Sequence, residues 1–79
     1  MNKAELLYTI NTLDQVAAIE IAETHELAYS AVAMALLRLV RQDLASRHLD
    51  PDTHLYVYEI TPKGEARLDY FLEGEIDDD

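Results

Sequence analysis

The chain has 79 residues, which is enough for one domain with a single small core. Apolar residues make up 49% of it, too many for a disordered chain, and the absence of cysteine excludes a disulfide framework and any thiolate zinc site. Sixteen acidic and six basic side chains give a net charge of −10, which disfavours nucleic acid as a partner because the average field repels phosphates.

The charges are unevenly distributed along the chain. Residues 1–47 carry four bases and six acids, whereas residues 48–79 carry two bases and ten acids. Because charges are screened over about 8 Å at physiological salt, a local excess of bases can outweigh the net charge. Three arginines face one acid between residues 29 and 47, so the centre of the chain is mildly basic.

We expect neither a targeting segment nor a membrane segment. After Met1 no positively charged stretch leads into an apolar run, so no signal peptide is predicted. No apolar run approaches the roughly 18 residues that a membrane span needs. These observations predict a cytoplasmic protein.

Two short helices are predicted in the first third of the chain. Asn2 can cap the first, which runs to about residue 13 with an apolar face of Leu6, Ile10 and Leu13. Val16 is a candidate for a very short strand. The second helix is predicted over residues 17–25, and its small buried stripe consists of Ala18, Ile21 and Ala22. Leu27 is expected to fill the core between this helix and the next.

The most strongly amphipathic stretch predicts a third helix over about residues 29–42. Its core-facing stripe recurs at i, i+3, i+4 and i+7 and consists of Val32, Ala35, Leu36 and Leu39. The opposite side carries Ser30, Met34, Leu37 and Arg41, flanked by Ala33 and Arg38. Two helices joined by three or four residues form a helix-turn-helix pattern. The function should therefore depend on what this outward side contacts.

A β-hairpin and a last helix are predicted after it. Residues 44–48 form the first strand, the Asp-Pro-Asp-Thr sequence at 50–53 is a strong turn signal, and residues 54–60 alternate in period two. Thr61 then caps the last helix, and Pro62 takes its first position. Its apolar face consists of Leu68, Phe71 and Leu72.

The order helix, short helix, long helix, hairpin, helix is that of a winged helix-turn-helix domain. The sequence Thr61-Pro62-Lys63-Gly64, directly after a strand, resembles the opening of the helix after the wing in MarR- and PadR-like transcription regulators. Framework positions also resemble theirs: Ile21, Ala22, Glu23, Leu27, Ser30, Val32, Leu36, Arg38, Leu39 and Leu44. The resemblance implies an α+β fold over residues 1–74, with a three-helix core, a two-stranded hairpin wing and a C-terminal helix. Residues 75–79 are expected to form a flexible acidic tail.

The resemblance also implies a function. Such regulators bind duplex DNA, usually as dimers, with the third helix in the major groove and the wing along the backbone. A small DNA-binding transcriptional regulator is therefore expected, dimeric through its first and last helices. The residues expected to contact DNA are Tyr29, Ser30 and Met34 in the groove, Ala33 and Leu37 on the same outer face, Arg38 and Arg41 at the phosphates, and Arg47 and His54 on the wing side.

The chain departs from the family pattern at several positions. Early in the third helix, where polar or basic residues are common, it has Ala31, Ala33, Met34 and Leu37. The glycine expected before Leu44 is Asp43, and the wing tip carries Thr53 and His54 instead of arginine. These differences favour one alternative function: a protein-interaction module in which the apolar outer face of the third helix docks on a partner protein and no DNA is bound.

No enzyme, metal or cofactor is predicted. The sequence contains no cysteine nucleophile and no glycine-rich phosphate loop, and its serines have no histidine–acid arrangement. The three histidines, His25, His48 and His54, match no zinc-ligand spacing.

Overall fold

A computed structural model describes residues 1–74 of the chain. The elements follow one another in the predicted order: α1 Lys3–Leu13, β1 Val16–Ala17, α2 Ala18–His25, α3 Tyr29–Arg41, β2 Ala45–Leu49, β3 Tyr56–Ile60 and α4 Pro62–Gly74. The predicted tail at 75–79 lies outside the described residues. Among residues 1–74, no helix combines the length and apolar character that a membrane crossing requires.

At the starts of α1 and α2, a glutamate side chain accepts a hydrogen bond from the backbone N–H three residues before it. In α1 the Glu5 N–H donates to Asn2 Oδ1 at 2.8 Å, and the Asn2 N–H donates to Glu5 Oε1 at 3.0 Å. This is a capping box, so Asn2 caps the helix as predicted. In α2 the Glu20 carboxylate accepts from the Ala17 N–H at 2.8 Å. Both helices thus begin where local sequence chemistry places them.

Helices α2 and α3 end in the same way, with an acidic residue in the left-handed region. Glu26 has φ 55° and Asp43 has φ 65°. The residue after each of them donates its N–H back to the last turn, Leu27 to Ala22 O and Leu44 to Leu39 O, both at 2.9 Å. This is the Schellman arrangement, in which glycine is usual because it pays no Cβ penalty. Both helices therefore end in the usual turn, but Glu26 and Asp43 adopt a backbone conformation that is strained for a residue with a side chain.

The sheet consists of the two strands of the predicted hairpin and a third, two-residue strand at Val16, where a very short strand was predicted. The antiparallel order is β1-β3-β2, with Val16 opposite Tyr58 and Arg47 opposite Tyr58 on the other side. The chain passes from α1 into β1 through a tight γ-turn at Asp14, whose φ is 73° and across which the Gln15 N–H donates to Leu13 O at 2.8 Å. A two-residue strand is too short for period-two alternation to reveal its partner.

The core lies between the helices and the sheet. The third helix contributes Val32, Leu36 and Leu39, each at most 4% exposed, which confirms the predicted stripe, and Ala35 is half-buried beside them. The other fully enclosed large side chains come from the first two helices and β1 and are Leu7, Ile10, Ile21 and Val16. The face of α3 that carries these three residues is therefore packed in the core.

Three leucines on the predicted apolar surfaces lie at the surface of the molecule. Leu27 is 36% exposed, so its predicted core position is wrong, and Leu13 and Leu72, predicted on apolar helix faces, are 52% and 66% exposed. Leu13 and Leu72 belong to the last turns of α1 and α4, which run past the core. Leu27 follows the Schellman turn and lines a surface groove together with Met1 and Ala28.

The Thr-Pro-Lys-Gly sequence joins the end of α3 to the start of α4. Thr61 Oγ1 accepts from the Gly64 N–H at 2.9 Å, as an N-cap does, and donates to Asp43 O at 2.7 Å. The Thr61 N–H donates to Leu44 O at 3.1 Å. A Cβ on Gly64 would collide with that same Leu44 carbonyl and lie 2.7 Å from Ile60 Cγ1. This junction fixes the direction of α3 relative to the wing.

Candidate nucleic-acid interface

The outward side of α3 faces solvent, as predicted. Tyr29 is 56% exposed and Met34 is 46% exposed, and Ser30 is exposed beside them. Ala33 and Leu37 are half-buried at the edge of this side. The helix therefore offers a mostly apolar surface with two hydroxyl groups near its start.

A groove of about 310 Å³ separates this side of α3 from the wing. The residues that line it come from α3, from β1 and the start of α2, and from the hairpin: Tyr29, Ala33, Met34, Leu37, Ala17, Ala18, Ile19, Arg47, His54, Leu55, Tyr56 and Tyr58. Six of the nine residues expected to contact DNA thus share one concave surface: Tyr29, Ala33, Met34, Leu37, Arg47 and His54.

The three remaining predicted residues lie outside the groove lining. Ser30 is exposed in the first turn of α3, and Arg38 and Arg41 are exposed in its last turn. An α-helix rises 1.5 Å per residue, so Arg38 and Arg41 lie roughly 12 Å or more beyond Ser30 along the axis. The basic end of α3 and its apolar start are therefore separate parts of the same surface.

On the wing, Arg47 is held by an aromatic ring that the sequence reasoning missed. Its guanidinium carbon lies 4.2 Å from the centre of the Tyr56 ring, which is a cation–π contact. Arg47 is paired with Tyr58 in the ladder, so Tyr56 is its diagonal neighbour on the same face of the sheet. The hairpin register, once fixed, would have revealed the pair.

The wing tip is a short, self-bonded loop. The Asp50 N–H donates to Leu55 O, and the His54 N–H donates to Asp50 O, both at 2.8 Å. The Asp52 N–H donates to Asp50 Oδ1 at 2.9 Å, and His54 has φ 62°. This turn brings His54 back into the groove lining while two carboxylates occupy the tip. The cationic group of the wing is therefore Arg47 on β2, not a residue of the tip.

A metal site is not formed by the described residues. Within 1–74, no three His, Cys, Asp or Glu side chains come together in an arrangement that could hold an ion. The surface has the chemistry of a binding interface: an apolar helix face, a wing with one anchored arginine, and two arginines at the helix end.

A helix-turn-helix whose second helix faces outward beside a β-hairpin defines a winged helix domain. The family model described as winged helix DNA-binding domain matches residues 2–64. The chain therefore belongs to this family, which confirms the predicted fold and the predicted class of DNA-binding domain. None of the curated proteins is significantly similar to the chain in sequence.

Solved structures of MarR-like regulators share the fold. YusO from Bacillus subtilis superposes with a TM-score of 0.85 at 23% identity, over 91% of this chain and 52% of YusO. Apo MarR from E. coli superposes with a TM-score of 0.81 at 20% identity, over 92% of this chain and 56% of MarR. The C80S mutant of E. coli MarR, solved in complex with operator DNA, gives a TM-score of 0.81 at 20% identity, over 92% and 54%. The chain thus spans about half the length of these relatives.

Proposed function

We propose that the chain is a small DNA-binding transcriptional regulator. In this proposal α3 enters the major groove of duplex DNA and the hairpin at 44–60 lies along the backbone as the wing. The observation that carries it is the single groove shared by the outward side of α3 and the wing, in a chain that belongs to a DNA-binding family. Family membership favours this function over docking of α3 on a partner protein.

Each predicted contact has a role in this proposal. Tyr29, Ser30, Ala33, Met34 and Leu37 face the base edges. Arg38 and Arg41, at the exposed end of α3, bind phosphates, because guanidinium groups pair with phosphate oxygens in a fixed geometry. Arg47 and His54 contact the backbone on the wing side. The fold and family are those of regulators, so no catalytic step is included, and the cytoplasm is the proposed location.

The net charge of −10 sets the expected strength of binding. Few cations oppose a repulsive average field, so affinity should be modest, and it should fall as salt rises because each phosphate contact releases counterions. A labelled mixed-sequence duplex, followed by fluorescence anisotropy, tests this directly. Binding at ~20 mM salt that weakens strongly by ~150 mM is expected, because screening is weaker at the lower concentration. The absence of binding at the lower salt would overturn the proposed function.

We also propose that the chain works as a homodimer through α1 and α4. An apolar surface runs over these helices and the turn after α2, where Met1, Tyr8, Leu27 and Leu72 are between 36% and 66% exposed. They line a common depression of about 720 Å³ together with Ala4, Glu5, Thr9 and His25. A two-fold dimer would present two copies of α3 to successive turns of DNA.

Sedimentation equilibrium tests the dimer. The native chain is expected to show twice the monomer mass at micromolar concentration, and Leu72→Asp to show the monomer mass, because a charge would be buried in the interface. Leu49→Asp is the matched control, since Leu49 is 50% exposed on the wing and outside this surface. A monomeric native chain, or equal effects of the two substitutions, would contradict the proposal.

A further inference from the structure

The first half of α3 presents almost no hydrogen-bonding side chains. Between residues 29 and 37 the polar groups are the phenol of Tyr29 and the hydroxyl of Ser30. The other side chains on the outward face, Ala33, Met34 and Leu37, are hydrocarbon or thioether and line the groove toward the wing. This half of the helix is therefore unsuited to reading donor and acceptor patterns.

The position of this apolar half decides what it meets. In a helix-turn-helix, residues near the start of the second helix contact base edges. Arg38 lies four residues past Met34, about 6 Å further along the axis, and Arg41 lies beyond it. The arginines are thus placed toward the backbone, and Ala33 and Met34 are placed toward the bases.

The major groove offers one apolar group to such a surface. Guanine, adenine and cytosine expose hydrogen-bonding edges, whereas thymine adds a C5-methyl group. Covering a polar edge with a thioether leaves donors or acceptors unpaired, which costs free energy. Covering a methyl group instead removes apolar area from water on both sides. The apolar helix face and the methyl group are complementary.

We propose that Ala33 and Met34 read the C5-methyl group of thymine and so determine the sequence preference of the chain. This inference rests on the proposed function. Met34 is 46% exposed and unbranched, so its side chain can adapt to a methyl group without disturbing the core. Ala33 is half-buried beside it and lets the base edge approach the helix closely. A duplex rich in thymine at the contacted positions is the expected ligand.

Uracil provides a sharp test, because it differs from thymine only in lacking this methyl group. A duplex pool with a random core is enriched for binding to the native chain at low salt. The best duplex is then remade with uracil at each core thymine in turn. At one or two positions, uracil is expected to weaken binding about fourfold, the effect of one buried methyl group.

Variants of the protein assign the effect to the helix face. In Met34→Ala and Met34→Gln the difference between thymine and uracil is expected to fall below about twofold, because the apolar cover is shortened or made polar. Met34→Leu is the conservative variant and should retain the difference. Thr24→Ala is the matched control: Thr24 is exposed on α2 and lines neither the groove nor the depression between α1 and α4, so this variant should behave as the native chain does.

A 5-methylcytosine carries the same methyl group, so the contacted positions are also compared with cytosine and 5-methylcytosine. If 5-methylcytosine is bound more tightly than cytosine, the methyl contact applies to both methylated pyrimidines. If the two are bound equally, the contact is specific to thymine. Equal binding of thymine and uracil at every position, with binding of DNA intact, overturns the inference alone. A difference that persists in Met34→Ala overturns it too. If no duplex in the pool binds the native chain at low salt, the proposed function is overturned as well.

Discussion

The two sides of helix α3 follow different rules. The inward side carries Val32, Leu36 and Leu39, all nearly inaccessible to solvent and packed in the core. The outward side carries Tyr29 and Met34, both about half exposed, beside a groove. Burial constrains the first side to large apolar residues that fit closely. The second side is free of that constraint, so its composition reflects the partner.

This difference separates stability from recognition within one helix. A substitution on the inward side should change the free energy of unfolding, and one on the outward side should change binding.

Leu36→Ala should destabilise the domain by about 3 kcal/mol, because Leu36 is 0% exposed and its loss leaves a cavity. Met34→Ala, two positions away and 46% exposed, should change the free energy of unfolding by less than about 0.5 kcal/mol. Urea unfolding followed by circular dichroism measures both. Similar losses for the two variants would mean that the outward side is part of the core. Leu36→Met, expected to cost under ~1.5 kcal/mol, keeps the comparison measurable if Leu36→Ala does not fold.

Gly64→Ala should destabilise the domain by about 1–3 kcal/mol, because the added methyl group collides with the Leu44 carbonyl at the end of α3. Lys63→Ala is the neighbouring control and should be nearly neutral, since Lys63 is exposed. Thermal unfolding of both variants checks the prediction. An unchanged Gly64→Ala variant would show that the junction between α3 and α4 is looser than described.

Glu26→Gly should stabilise the domain by about 0.5–1 kcal/mol, because it relieves a side chain held at φ 55°. Asp43→Gly, at φ 65°, should give a smaller gain, since aspartate tolerates this region better than glutamate. Glu23→Gly, inside α2, is the control and should cost about 1 kcal/mol. A loss of stability in Glu26→Gly would rule out strain at this helix end.

Tyr56→Ala should weaken DNA binding by about two- to fivefold, because an exposed cation–π contact contributes roughly 0.5–1 kcal/mol to holding Arg47. Tyr56→Phe keeps the ring and should bind as the native chain does. In a double-mutant cycle, Tyr56→Ala should have no further effect once Arg47 is alanine. Additive losses would show that Tyr56 acts independently of Arg47.

The sequence predicted those parts of the molecule that local chemistry or periodicity encodes. The stripe of α3 follows from helical spacing, the α1 cap from Asn2 and Glu5, and the hairpin from its turn. What it missed depends on contacts between distant segments. Val16 pairs with Tyr58, and Arg47 stacks on Tyr56. Both contacts depend on the register between strands, and that register is set only when residues distant in the sequence come together in the fold.

The exposure of Leu27 and Leu72 also depends on the tertiary fold and could not be predicted from the sequence. Leu72 lies on the apolar face that helical spacing predicts for α4, and Leu27 is an apolar residue in the turn before α3, yet both are at least one-third exposed. Periodicity gives the face on which a residue lies, but not how far the neighbouring elements extend over that face. The α3 residues proposed to contact DNA share its outward side, which helical spacing predicts, whereas the contacts among wing residues depend on the tertiary fold.

A DNA-facing α3 can be tested by the salt dependence of DNA binding for two variants of equal charge. Arg38→Ala/Arg41→Ala removes two cations from the end of α3. Lys63→Ala/Arg67→Ala removes two cations from α4, where both residues line a groove that has no residue of α3 or of the wing. If α3 faces the DNA, the first pair should lower the slope of log affinity against log salt by up to about two, near 0.9 per lost phosphate contact. The second pair should leave the slope unchanged. Equal changes in both variants would contradict a DNA-facing α3.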